Sequence, residues 1–318
     1  MDMKMKFHLP SFTTHFRFNV AFLAMLEHYP QFFHDNIEIA SFYDAFPQSL
    51  WNGGRINNDE CDSHFINVVI NTLNRKGIPL RFTFTNPLIE EKHLGDKFCN
   101  SILERANNGL NEVIVFSPIL EEYIRKNYPK YKITSSTCKR IKNIDALNEE
   151  LEKDYKYVVL DYVFNNKFDL LEQVKHKEKC ELLINALCVP DCPNRSKHYI
   201  NIAKQQIALC EYYENPNRLP ELTLDKILTP EEQKLTDCPH TDRSLYDIMD
   251  LPTFVKAEDI FDKYLPMGFC NFKLESRSTN AINLMEHYLY YLAKPEWRDK
   301  ARYEFFKLLV NNEIIHLD

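Results

Sequence analysis

The chain has 318 residues, 44% of them hydrophobic and 27% charged, the mix of a folded globular protein. Its formal charge of −7 argues against a large sequence-independent grip on nucleic acid, which needs clustered Lys and Arg, and no apolar run approaches the ~18 residues of a membrane span. Six glycines leave room for neither a P-loop nor a G-x-G-x-x-G turn, so both standard nucleotide loops are excluded.

The first residues, 1–8, carry lysines without the apolar run of a secretory signal. Nine cysteines with no such signal point to a reducing, cytoplasmic setting, where thiols ligate metals, catalyse or pack. Nine is also odd, which fits poorly with full disulfide pairing.

In chain order, strand-like runs fall at 38–43, 79–85, 112–116, 132–136, 157–161, 181–185, 253–256 and 270–275. Amphipathic helical patterns separate them, at 62–75, 96–106, 119–126, 144–153, 167–175 and 258–264. Strands alternating with helices of this length imply parallel βαβ units, and eight strands are the closure count of a (β/α)8 TIM-like barrel. An open doubly wound sheet is the structural alternative. After the sixth run come a helix at 196–213 and a polar, Pro-bearing stretch at 214–243. The reading is one barrel domain over 1–318, with 196–250 as an insertion covering its mouth and two further helices at 279–292 and 295–310.

In such a barrel the chemistry sits just past the strand C-termini. Cys61, Cys138, Cys188 and Cys192 all fall there, and Cys238 in the insertion is within reach. A cubane takes four thiolates, so these five are the candidate ligands of a [4Fe–4S] cluster. They can equally be small buried hydrophobes, as free cysteines often are. Cys99, Cys180, Cys210 and Cys270 read as packing residues.

Lys273 and Glu275 share one face of the last strand and should point inward near the mouth. Buried charges need partners, so this stretch is either an ionic latch or a substrate site. In the second case Glu275 is a general base and Arg277 a bidentate clamp for carboxylate or phosphate. Asp161 ends the fifth run, Asn185 the sixth and Ser136 the fourth. Asn194, Arg195 and His198 follow the C-x3-C pair, His198 in the first turn of its helix, where the dipole favours a neutral ring. No G-x-S-x-G elbow and no H-E-x-x-H pair exists. The aromatic patches 28–33 and 287–292 read as helix packing, with base stacking as the alternative.

Three stretches resemble the collagenase-like peptidases, a barrel family of unassigned catalytic type. Phe272-Lys-Leu-Glu-Ser-Arg277 is similar to that family's Lys-Ile-Glu-Gly-Arg signature, with Leu for Ile and Ser276 for Gly. Ile133-Thr-Ser-Ser-Thr137 resembles its His-x-Ser-Thr strand, with Thr134 in place of His. Gly53-Gly54-Arg55 followed by Cys61 resembles its early Gly-rich loop, which makes Arg55 a candidate binding residue. Members with a cysteine in the first loop and a C-x3-C pair after strand six carry an iron–sulfur cluster. The resemblance implies a barrel with an active C-terminal face, and three expectations for function. The first is an enzyme acting on a peptide, RNA or small polar substrate. The second is a [4Fe–4S]-dependent hydroxylase-like protein. The third is a partner subunit or binding module without chemistry, since such barrels pair with themselves or with related barrels.

Overall fold

A computed structural model describes residues 4–57, 61–214, 223–235, 238, 243–275 and 279–316. Eight parallel strands close into a barrel in chain order: β1 Met5–Pro10, β2 Ile37–Asp44, β3 Leu80–Phe84, β4 Glu112–Val115, β5 Lys132–Ser135, β6 Tyr157–Val159, β7 Cys180–Leu183 and β8 Asn271–Lys273. The (β/α)8 reading therefore holds, and the open sheet is excluded by the pairing of β1 with β8.

Helices between the strands begin where a short polar side chain can hold a free backbone N–H. Asp62 accepts from Phe65 N at the start of α2 (Ser63–Arg75), and Asp96 from Cys99 N at the start of α3 (Lys97–Arg105). Ser117, followed by Pro118 in the first turn, opens α4 (Pro118–Asn127). Asn143 does the same for α5 (Ile144–Glu152), and the short α6 (Phe168–Leu171) follows β6.

Two strand assignments need correction. Residues 253–256 form no strand; Thr253, Phe254 and Val255 are buried, and Val255 N donates to Ile184 O, but no ladder follows. The remaining strand is instead Met5–Pro10, in which Met5, Phe7 and Leu9 alternate with Lys6, His8 and Pro10. The insertion thus follows β7. The first helix, α1 (Phe16–His28), was also not foreseen from the sequence. It packs on the last two helices, Ala281–Leu292 and Arg298–Asn311, through Phe22 against Tyr288 (4.8 Å between ring centres) and Phe18 against Phe305 (5.0 Å). The aromatic patch 287–292 is therefore helix packing, with Tyr288 and Tyr291 fully buried.

Small barrels usually fill their interior with branched apolar side chains. Here the interior holds charge. Arg81 on β3 donates to Glu181 on β7 at 2.6 Å and to Thr134 on β5 at 2.8 Å. Its Nε lies 3.5 Å from the Glu112 carboxylate, which also meets Lys156 near the barrel floor. Above, Lys273 Nζ lies 3.3 Å from Glu181. The result is a row of alternating signs, Lys156, Glu112, Arg81, Glu181 and Lys273, running up to the mouth. His8 adjoins it, 3.7 Å from Glu181, with Nδ1 hydrogen-bonded to Ser41 at 2.7 Å. Burial pushes the His8 imidazole down to about 3, against the pull of Glu181, so the ring is neutral there.

Candidate active site at the barrel mouth

A cavity of about 360 Å³ opens at the C-terminal ends of the strands. Its walls come from β2, the Gly53–Arg55 loop, the β5 turn, the end of β7, α7 (Arg195–Glu214) and β8. Tyr43, Arg55, Ser136, Arg195, His198, Lys273 and Glu275 all line it.

The Gly-rich loop delivers Arg55 by lying flat on the chain after β3. A Cβ on Gly53 would stand 2.5 Å from the carbonyl carbon and oxygen of Thr85, so only glycine fits. Gly54 follows at φ +76°, the left-handed region glycine reaches without strain. Asn52 then donates to Arg55 O at 2.8 Å. Arg55 Nη2 pairs with Glu275 Oε1 at 2.5 Å, across the mouth, and Glu275 Oε2 accepts from Leu187 N at 3.0 Å.

Lys273 sits one turn of the pleat below Glu275, its Nζ 3.8 Å from the Tyr43 ring centre as well as beside Glu181. Tyr43 in turn donates its hydroxyl to Leu274 O. Sequence alternation had placed Lys273 and Glu275 on one inward face, and both line the cavity.

From the opposite wall, α7 contributes Arg195, His198 and Tyr199. The Arg195 guanidinium stacks on Tyr162 (4.2 Å) and Tyr199 (5.5 Å), donates to Tyr199 Oη at 2.8 Å and pairs with Asp161 at 2.8 Å. Asp161 is thereby the buried counter-ion of Arg195 and also caps the turn after β6, accepting from Val163 N. Burial, reinforced by the Arg55 charge, lowers the His198 pKa, so the ring faces the cavity neutral. Ser136 caps the turn after β5 by accepting from Cys138 N.

Other expected residues lie elsewhere. Asn185 is fully buried beneath the wall, bonded to the backbone of Glu275. Asn194 is exposed at the start of α7, its carbonyl accepting from His198 N. Arg277 lies outside the described residues, as does part of the 196–250 insertion. Tyr43, Tyr162 and Tyr199 were not singled out from the sequence. Only Tyr199 left a trace there, four positions past Arg195 on one helix face.

Cys138, Cys188 and Cys238 reach the cavity; Cys61 and Cys192 do not. Cys61 packs on the core with its thiol toward Pro47 O at 3.8 Å, and burial, with Asp62 nearby, pushes it up to about 12. Burial raises Cys188 too, against the hydrogen bond from Tyr162. Among the described residues no three His, Cys, Asp or Glu side chains come close enough to hold a metal ion. As they stand, the thiols do not assemble the four-thiolate set that a cubane takes.

No protein-family model matches the chain. One curated relative is an uncharacterized protease, MJ1657, of Methanocaldococcus jannaschii, 28% identical over 131 residues, which is 38% of this chain and 38% of the relative. The matched part is thus well under half of that protein's length. Among solved structures, the U32 peptidase Mk0906 has the same fold at a TM-score of 0.50, with 11% identity, covering 87% of this chain and 94% of its own. Among the described residues no helix is long and apolar enough to cross a membrane. The chain is thus similar to an uncharacterized protease over part of its sequence, and its barrel has the fold of a U32 peptidase.

Proposed function

We propose that this chain is a peptidase-type hydrolase that cleaves a short peptide held in the barrel mouth. The observation that carries the reading is the Arg55–Glu275 pair facing Arg195 and His198 across one small cavity. About 360 Å³ suits a few residues of extended peptide, not a folded protein. Among the described lining residues Arg55, Arg195 and Lys273 are cationic and Glu275 alone is anionic, which favours a ligand bearing a carboxylate.

In this reading Arg195, held rigid by two tyrosine rings and Asp161, grips the peptide carboxylate. Glu275 Oε1 and Oε2 each keep a lone pair beyond their bonds to Arg55 and Leu187, so the carboxylate takes a proton from water at the scissile amide. The water oxygen bonds to the scissile carbonyl carbon, and as the C–N bond breaks Glu275 gives the proton to the leaving amine, with neutral His198 a second proton acceptor on the same cavity.

The test is a mixture of synthetic tri- to hexapeptides incubated with the full chain and followed by mass spectrometry. Cleavage that falls roughly 100-fold or more in Glu275→Gln supports the reading. A second reading, a binding module without chemistry, is favoured by one observation: both Glu275 oxygens are already engaged. Peptides that bind by calorimetry and stay intact would select it.

A further inference from the structure

We infer that His287, on the Ala281–Leu292 helix and outside the cavity wall, is a positioning residue for the site: acting through Asn185, it fixes the backbone of Glu275. The inference rests on reading Glu275 as the working carboxylate.

The argument starts from groups whose roles cannot be exchanged. Glu275 N–H can only donate, and it donates to Asn185 Oδ1 at 2.6 Å. Glu275 C=O can only accept, and it accepts from Asn185 Nδ2 at 3.0 Å. These two bonds settle which end of the Asn185 amide is which. The second Nδ2 hydrogen is then aimed at His287 Nδ1, 3.0 Å away. Nδ1 must accept, so the ring is neutral with its proton on Nε2. Burial supports that state by pushing the His287 imidazole down to about 4, outweighing the nearby Glu275 charge.

Packing alone does not explain a histidine here. Asn185 and His287 are both fully buried, and His287 Nε2 has no hydrogen-bond partner among the described residues. An imidazole with one buried N–H unpaired costs free energy that a leucine or phenylalanine of similar volume would not. The ring is retained for the bond at Nδ1. That bond uses the last Asn185 hydrogen, so the amide cannot rotate without leaving a buried donor unsatisfied. Glu275 is locked between Asn185 below it and Arg55 and Leu187 N above it. The carboxylate therefore points into the cavity without being held there by ligand.

Amide hydrogen exchange on the full chain tests this without any substrate. His287→Leu should speed exchange at the Glu275 amide at least about tenfold while the β4 amides of Val113 to Val115 stay as in the wild type. His287→Asn, whose Oδ1 falls near the place of Nδ1, should restore protection to within roughly threefold. Imidazole nitrogen NMR of the unmodified protein at neutral pH should show Nδ1 bare and Nε2 protonated. Wild-type exchange at Glu275 in a folded His287→Leu protein, or a proton found on Nδ1, overturns the inference. Should His287→Leu fail to fold, the NMR measurement on the wild type decides alone. Absence of peptide cleavage by the wild type would overturn the hydrolase reading and leave these readouts standing.

Discussion

Arg81 and Glu181 meet at 2.6 Å in the middle of the barrel, both fully withdrawn from solvent although 100 positions apart in the chain. Burial works against both charges, and each holds the other ionised: Glu181 lies at about 2 and Arg81 is raised. A pair of this kind is weak evidence of net stabilisation, because desolvation cancels most of the attraction. Its removal by halves is another matter.

Arg81→Met leaves Glu181 with Lys273 at 3.3 Å as its remaining cation, and leaves Glu112 facing an apolar side chain. The expected loss is about 3–5 kcal/mol in urea unfolding. Arg81→Met combined with Glu181→Gln should recover part of it, because the buried β7 carboxylate that has lost its closest cation is then gone. A single variant within about 1 kcal/mol of wild type would mean that water or a shift of Lys156 replaces the guanidinium.

Acid should destabilise the fold earlier than carboxylates alone would dictate. His8 and His287 have folded-state values near 3 and 4, both below the ordinary 6.5. Between pH 6.5 and about 4 the unfolded chain therefore takes up protons that the folded chain refuses, and stability falls as pH drops. For His287 alone the linkage is on the order of 3 kcal/mol. Glu181 and Glu150, each lowered to about 2, act in the same direction below 4.5: their stabilisation is present above that value and lost on approach to 2. Urea midpoints at pH 7, 5.5 and 4.5 check the histidine part, and His287→Asn should flatten the slope between the first two. A midpoint constant down to pH 5 would contradict both histidine assignments.

Much of the frame was legible because it is written locally. Asp62 and Asp96 announce α2 and α3, and the sequence places both helices to within about a residue. The barrel mouth followed from the strand ends, which is why Lys273, Glu275, Arg195 and His198 came out on one cavity. What stayed hidden was set by distant partners. β1 alternates over six residues only, with His8 inside a barrel that ordinarily carries apolar side chains there, and the 253–256 segment reads as a strand because Thr253, Phe254 and Val255 are buried in a row. Asp161 looked like a free carboxylate at a strand end, and only the fold shows Arg195 against it. Asn185 looked like a ligand donor for the same reason, whereas the backbone it serves is 90 positions away.

Gly53→Ala should separate loop placement from chemistry. The added Cβ meets the Thr85 carbonyl at 2.5 Å, a backbone atom that no rotamer change can move. The loop has to lift, carrying Arg55 away from Glu275. We expect a loss of about 2 kcal/mol in stability and a fall in peptide affinity of more than roughly tenfold, with far-UV dichroism unchanged. Arg55→Ala should reproduce the affinity loss with a smaller stability change. Equal affinity in Gly53→Ala and wild type would show that ligand does not engage the Arg55 side.

Arg195 provides the sharpest contrast between charge and shape. Its guanidinium lies against Tyr162 and Tyr199 while donating to Asp161 and Tyr199 Oη, a planar arrangement that a lysine ammonium cannot copy. Arg195→Lys keeps the charge beside Asp161 but loses the stacking and the separate bonds to Tyr199 and Thr137. If the group grips a ligand carboxylate, peptide affinity should fall about tenfold or more, while a peptide amidated at its C-terminus, already weaker, should lose little further. If Arg195 merely pins α7 to the barrel, both peptides should lose affinity alike. Calorimetry with the acid and amide forms on wild type and Arg195→Lys distinguishes the two, because only a direct grip couples the side chain to the ligand's charge.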